Sequence, residues 1–263
     1  MSKSFSFIII LISIATLISC SKNGGDTYEA KAAIEAYLQP GQKTLVNITR
    51  EILAGEDTSG DRIINGLSVV IKYNGTSYSL TQNSSGVYEN TTMPVVAGGS
   101  YELNFNYNNR LITATTVVPG KPTNFICSPT ALTVPAFGGG GVIPTIPDPL
   151  KAKWDNATGA YHLLLIKSVD SSASQISTFG GGQRPGFANT PDQGNSKEIN
   201  FNGFEYYGRN ALILYSIQPE LAALYNAGSS NSQNLSTVPS NVNNGLGIFT
   251  AVNIADSVFV TVN

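Results

Sequence analysis

The chain is short of charge. Of its 263 residues only 12% are Asp, Glu, Lys or Arg, against a usual ~25% in soluble domains. Fifteen basic and 17 acidic side chains leave a net charge of −2. That excludes an electrostatic nucleic-acid binder, which needs a clustered basic surface. A single His excludes a poly-His metal centre, and two Cys exclude a disulfide-dense scaffold. Helical periodicity is missing from residue 28 to 217, where no long stretch repeats apolar residues at the 3.6 period. What remains is 41% hydrophobic residues, enough for a sizeable core, with Asn, Gly, Ser and Thr in place of the missing charges.

The N-terminus carries the sharpest signal. Lys3 supplies a positive start, and Phe5 to Ile18 is apolar apart from Ser6, Ser13 and Thr16. A membrane-crossing helix needs ~20 apolar residues, so this run has the length of a signal-peptide core instead. It ends in Leu17-Ile18-Ser19-Cys20, the pattern of a bacterial lipobox. Residues 1–19 are therefore expected to be a lipoprotein signal peptide and Cys20 the site of lipid attachment. Each buried methylene contributes ~0.8 kcal/mol to such an anchor, and bacterial lipoproteins carry three chains. Residues 20–27 read as a flexible tether, because Ser21 to Thr27 has no apolar side chain and two adjacent Gly. With Cys20 lipidated, Cys127 has no intramolecular partner. It follows Phe125-Ile126 and reads as a buried small hydrophobe.

The rest predicts an all-β protein of two β-sandwich domains in tandem, with one short helix inserted in the second. Tyr101, Leu103, Phe105 and Tyr107 alternate with Glu102, Asn104 and Asn106, the period of a half-buried strand. Asn108-Asn109 turns this strand into Arg110 to Val118. Asn74-Gly75, between Leu67–Tyr73 and Thr76–Thr81, is a hairpin signal because both positions must take positive φ. Val46, Ile48 and Ile52 mark another strand face. Pro119-Gly120-Lys121-Pro122 breaks the pattern and sets the domains at 28–119 and 120–263. In the second, Lys151–Trp154 and Tyr161–Lys167 read as a strand pair around Asp155–Gly159. Residues 170–196 read as a long surface loop, and Glu198–Tyr207 and Asn210–Ile217 as further strands. Gln218 to Ala227 is the helix, with Pro219 in its first turn, Leu221, Leu224 and Tyr225 on one face, and Gly228 placed to end it. Leu246–Val252 and Ser257–Val262 close the chain.

Catalytic patterns are sparse. His162, the one imidazole, shares a strand face with Ala160, Leu164 and Ile166 and reads as a packed side chain. No Gly-x-Ser-x-Gly elbow occurs. Zinc lacks ligands. The loop Glu56-Asp57-Thr58-Ser59-Gly60-Asp61 departs from the calcium-loop template, since Arg62 follows Asp61 and Ser68 occupies the closing position, and it reads as a solvated turn. Gly138–Gly141 and Gly180–Gly182 lack the Lys-Ser or Lys-Thr of a phosphate loop. No metal or cofactor is expected. Phe201, Phe204, Tyr206 and Tyr207 form an aromatic cluster that either packs in the core or presents rings to a sugar or partner.

Several motifs carry a family likeness. They are Ala32–Pro40, Leu67–Tyr73, Gly86-Val87-Tyr88, Gly99-Ser100-Tyr101-Glu102-Leu103, Ile112–Pro119, Lys153-Trp154-Asp155-Asn156, Tyr206-Tyr207-Gly208 and Asn243-Asn244-Gly245-Leu246-Gly247-Ile248-Phe249-Thr250-Ala251. Together they resemble a domain-of-unknown-function family of lipoproteins from Bacteroidota, over nearly all of the chain beyond Cys20. The resemblance implies a transthyretin- or carboxypeptidase-regulatory-like Ig sandwich for the first domain. For the second it implies a fibronectin type III-like sandwich, with Trp154 and Tyr161 at core positions. Members are often encoded beside TonB-dependent outer-membrane receptors, which implies an accessory role in transport or sensing and a receptor as partner.

The expectation is a non-enzymatic protein, lipid-anchored to the outer membrane, that binds a partner and no nucleic acid. The rival readings are a glycan- or peptide-binding module using Phe201, Phe204, Tyr206 and Tyr207, a hydrolase with a carboxylate pair, and a structural surface protein or adhesin.

Overall fold

Turn chemistry sets where the strands begin and end. The computed structural model describes residues 29–53, 55–56, 62–84, 86–135, 145–176, 190–228 and 239–263. The leader, Cys20, the tether and both Gly-rich runs lie outside them. In chain order the strands are β1 (Ala32–Leu38), β2 (Thr44–Arg50), β3 (Val70–Tyr73), β4 (Thr76–Ser79), β5 (Thr81–Gln82), β6 (Tyr88–Asn90), β7 (Ser100–Tyr107) and β8 (Arg110–Val117). They continue as β9 (Ile126–Ser128), β10 (Ala131–Leu132), β11 (Leu150–Lys153), β12 (Tyr161–Ser168), β13 (Ser196–Ile199) and β14 (Gly208–Ile217). One helix, α1 (Pro219–Gly228), precedes β15 (Val242–Asn243), β16 (Leu246–Ile254) and β17 (Val258–Val262). The fold is all-β. Asn74 and Gly75 take φ of 47° and 76°, and Asn108 and Asn109 take 48° and 56°. Both pairs make the tight left-handed turns expected of them, joining β3 to β4 and β7 to β8.

The described strands form three sheets. The largest has nine strands, ordered β10-β17-β14-β16-β1-β2-β6-β5, with β12 also on β14. A five-stranded sheet runs β15-β8-β7-β3-β4, and a three-stranded one β13-β11-β9. The five-stranded sheet and the β1-β2-β6 part of the large sheet enclose one core, with Ile34, Ile48, Ile71, Tyr88, Tyr101, Leu103 and Phe105 inside. Tyr101, Leu103 and Phe105 are the buried face read from their alternation. The three-stranded sheet and the β12-β14-β17 part enclose a second core around Leu150, Trp154, Leu164, Ile199, Phe204 and Leu212. A third core forms on the other face of the large sheet, where Leu221 and Ala222 of α1 meet Leu163, Ile217, Ile248 and Val252.

The break at Pro119-Gly120-Lys121-Pro122 falls between the first two cores, but the chain does not stay divided there. Val242, Phe249 and Ala251 return from the C-terminal segment into the first core. β15 pairs with β8, and β16 runs parallel to β1 with Ala33 opposite Leu246 and Leu38 opposite Ala251. The last part of β16 leaves β1 and pairs antiparallel with β14, Val252 opposite Ile217 and Ile254 opposite Tyr215. One strand thus carries both halves of the large sheet, and residues 31–263 form one compact unit. Side chains reinforce the join: the Asn253 amide donates to the Pro119 carbonyl at 3.0 Å, and the Gln218 amide donates to the Val117 carbonyl.

The expected strand pair of Lys151–Trp154 with Tyr161–Lys167 is not formed. β11 pairs with β9 and β13, while β12 pairs with β14 along its whole length. The intervening residues arch from one sheet to the other instead of folding back as a hairpin. Asn156 holds the arch, its amide donating to the carbonyls of Ala160 at 3.0 Å and Gln193 at 2.8 Å. Both strands therefore send residues into the same core, Leu150 and Ala152 from β11 and Leu164 from β12, with Trp154 just beyond β11. Trp154 sits where the resemblance places it, whereas Tyr161 packs against the third core. The segment Glu198–Tyr207 is also not one strand, because a 3₁₀ turn at Phe201–Gly203 ends the pairing after β13.

Candidate functional site

The four aromatic side chains considered as contacts do not make an exposed platform. Phe204 is fully buried in the second core, and Phe201 and Tyr207 pack partly buried against it. Tyr206 is half-buried and bridges the backbone of Gln175. The 3₁₀ turn breaks the alternation that would present every second ring to solvent. Phe204 is therefore a packing residue and not a ligand contact.

His162 and Cys127 are the two described side chains most suited by type to proton transfer or nucleophilic attack, and packing consumes both. His162 lies on the Leu164 and Ile166 side of β12, 5.5 Å from the Trp154 ring. Its backbone N–H donates to the Asp192 carbonyl at 2.8 Å and its carbonyl accepts from the Asp192 N–H at 3.1 Å. The ring is buried and its Nδ1 has no partner. Burial holds its pKa below the ordinary value, against the opposing pull of the Ala160 carbonyl and the Asp192 charge. Cys127 is buried, and burial pushes its thiol up to about 11, far from a thiolate nucleophile.

The acidic loop gives one described carboxylate away to an ion pair. Glu56 accepts from Arg50 Nη1 at 2.7 and 2.8 Å, which lowers its pKa, helped by the Leu53 N–H. Asp57 to Asp61 lie outside the described residues. Among the described residues no three His, Cys, Asp or Glu side chains are grouped to hold a metal ion. The described ends of the 170–196 segment are tied down: Asp170 accepts from the Arg209 N–H at 2.8 Å, and Tyr207 donates its N–H to the Ser174 carbonyl at 2.9 Å.

The candidate site lies elsewhere, beside α1. Along β1, Ile34, Ala36 and Leu38 point into the first core, so Glu35 and Tyr37 occupy the opposite face. On that face stand Leu163 and Leu165 of β12, Tyr215 and Ile217 of β14, and Val252 of β16. The helix has ten residues and is only ~15 Å long. It covers part of the face with Leu221 and Ala222 and leaves an open-sided cleft of about 560 Å³ between Leu224, Tyr225 and the strands. Every lining side chain is apolar or a tyrosine except Gln39. Tyr37 and Tyr225 are each 42% exposed, so they stand where the cleft meets solvent. Burial raises the Tyr37 phenol pKa, and the charge of Glu35, a hydrogen bond to Glu35 and Tyr225 add to it. Burial and then Tyr225 raise that of Tyr215. Tyr225 therefore lies within electrostatic reach of both other phenols.

Sequence reasoning missed this cleft. Two signals point to it: β12 is apolar on both faces from Leu163 to Ile166, so a second layer must cover it, and Tyr37 alternates out of phase with the buried residues of β1. The arrangement has the volume and lining of a binding site for a small organic molecule, and its described lining is aliphatic, phenolic or amide.

No curated protein matches the chain closely enough to lend it a function. Residues 23–257, a stretch that includes β1 to β16 and α1, match the family described as a domain of unknown function (DUF4249), and the chain belongs to that family.

Proposed function

We propose that this is a non-enzymatic, lipid-anchored cell-envelope protein, held to the outer membrane through Cys20, that works as a partner-binding accessory to a TonB-dependent transport system. The observation that carries it is the leader: a positive start, a short apolar run and Ser19-Cys20, set eleven residues ahead of an all-β unit that begins near Lys31. Binding rather than catalysis is supported by the fate of His162 and Cys127, both spent in packing. The expected partner is the receptor or its complex, engaged through the sandwich faces and the segments near 170–196 and 229–244. An interface of roughly 1,200–2,000 Å² is expected of a stable complex.

The test is purification of the tagged protein from mildly solubilised native outer membranes, with co-purifying proteins identified by mass spectrometry. A near-stoichiometric TonB-dependent receptor supports the accessory role, and recovery of the protein alone refutes a stable receptor complex. Cys20→Ala should move the protein from the membrane to the soluble fraction; retention on the membrane refutes the anchor.

A further inference from the structure

The cleft beside α1 is an open-sided apolar pocket, and its chemistry narrows what fits. At interior packing density, 560 Å³ accommodates about 20 non-hydrogen atoms. The floor is aliphatic: Leu163, Leu165, Ile217 and Val252 from three strands, with Leu221 and Leu224 of α1 as the wall. Among the described residues no Lys, Arg or His lines it, so an anionic group buried there would meet no counter-charge from them, at high desolvation cost. The Glu35 carboxylate next to Tyr37 adds negative potential at the mouth. The polar groups named are three phenols, with Tyr225 in electrostatic reach of the other two, and the Gln39 amide, all able to donate or accept a hydrogen bond without carrying charge.

We infer that the cleft is a binding site for an uncharged, largely apolar ring- or chain-bearing molecule of about 20 non-hydrogen atoms with a hydroxyl or a non-basic aryl amine at one end. The apolar body lies on the leucine floor, and the polar end meets Tyr37, Tyr215 and Tyr225. This inference stands independently of the receptor partnership, since the lining residues named all lie within residues 31–263.

The discriminating experiment uses two probes that share a skeleton and differ in charge: N-phenyl-1-naphthylamine, which is neutral, and its 8-sulfonate. The protein is the chain from residue 20 onward with Cys20→Ser, so that neither lipid nor detergent competes for the probe. Fluorescence titration should show one saturable site for the neutral probe. Its affinity should exceed that of the sulfonate by at least about tenfold, the ratio of 1.4 kcal/mol. Tyr225→Ala, at an exposed position, should weaken the neutral probe by about fivefold or more. Leu165→Glu, which puts a carboxylate in the floor, should abolish its binding. Emission from Trp154, which lies in the second core, reports whether each variant is folded, and Tyr225→Ala is decisive if Leu165→Glu is not. Equal affinity for the two probes, absence of saturable binding, or unchanged binding in folded Tyr225→Ala overturns the inference.

Discussion

Gly247→Ala should unfold the join between the two halves of the large sheet at far lower denaturant than an ordinary glycine substitution. Gly247 sits in β16 at φ 91°, and a Cβ there would collide with the carbonyl oxygen of Ile34 and press on the Ile34 N and C atoms, both at 3.0 Å. The positive φ alone costs an alanine about 1–2 kcal/mol. Relieving the collision means pushing β16 off β1, the strain of an overpacked site, worth about 1–3 kcal/mol more. The sum is a loss of roughly 2–5 kcal/mol, and for a domain of this size each kcal/mol lowers Tm by about 2–4 °C. Gly98→Ala is the matched control, because Gly98 has φ 77° and nothing within 4 Å of the position a Cβ would take. It should lose only the conformational part. Urea unfolding followed by emission from Trp154, the single tryptophan, gives both values. Its indole N–H donates to the Gly194 carbonyl at 3.1 Å inside the second core, so its signal reports that core, while amide exchange along β1 reports the first. Equal losses in the two variants would show that Gly247 is needed for its backbone angle alone and that the close approach of β1 and β16 carries no stability.

Three further outcomes are expected. Glu220→Ala should cost about 2–4 kcal/mol in urea unfolding, because Glu220 Oε1 accepts from Thr250 Oγ1 at 3.0 Å and Thr116 Oγ1 at 3.3 Å, both threonines being buried; Glu220→Gln keeps an acceptor and should lose less than half as much. His162 is held neutral in the fold, its pKa below the unfolded value of about 6.5, so its contribution to stability is present above pH ~6.5 and is lost as pH falls through the folded pKa. The urea midpoint should therefore fall between pH 7.5 and pH 5, and His162→Leu should flatten that slope; an unchanged slope refutes the assignment to His162. The Cys127 thiol, at about 11, should resist iodoacetamide at pH 8 in the native protein and react on unfolding, as read by mass spectrometry; rapid native labelling would show that the thiol is accessible.

Local chemistry made much of the fold legible. The Asn74-Gly75 and Asn108-Asn109 turns and the alternation of β7 are written in adjacent residues, and the helix is marked by Pro219 and the spacing of Leu221, Leu224 and Tyr225. What sequence could not give was partnership at long range. Lys151–Trp154 and Tyr161–Ser168 are separated by six residues and could pair or arch, and the choice rests on Asn156 reaching Gln193, 37 positions away. The return of β15 and β16 to the first sandwich is equally non-local. The segment Asn243–Ala251 stands out as a motif because Asn244 at φ 59° and Gly247 at φ 91° shape the approach to β1, yet nothing in those nine residues names β1 as the neighbour.

The candidate site was the least legible part for a related reason. Aromatic residues close together in sequence drew attention to Phe201–Tyr207, where the 3₁₀ turn folds them inward. The tyrosines at the cleft mouth, Tyr37 and Tyr225, are 188 positions apart in sequence, and the parallel pairing of β1 with β16 and the placement of α1 bring them to one cleft. The cleft thus depends on the join tested by Gly247→Ala. Thr250 lies opposite Tyr37 in the β1–β16 register, and the same Thr250 is bonded to Glu220 of α1. A change that shifts β16 along β1 therefore moves Tyr37 relative to the helix that carries Tyr225, so sheet stability and ligand affinity should fall together in Gly247→Ala. Glu220→Ala should loosen the helix and weaken the probe while leaving the β1–β16 amides protected. If instead the probe binds Gly247→Ala as tightly as the parent at a temperature where both are folded, the two tyrosines do not act as one site.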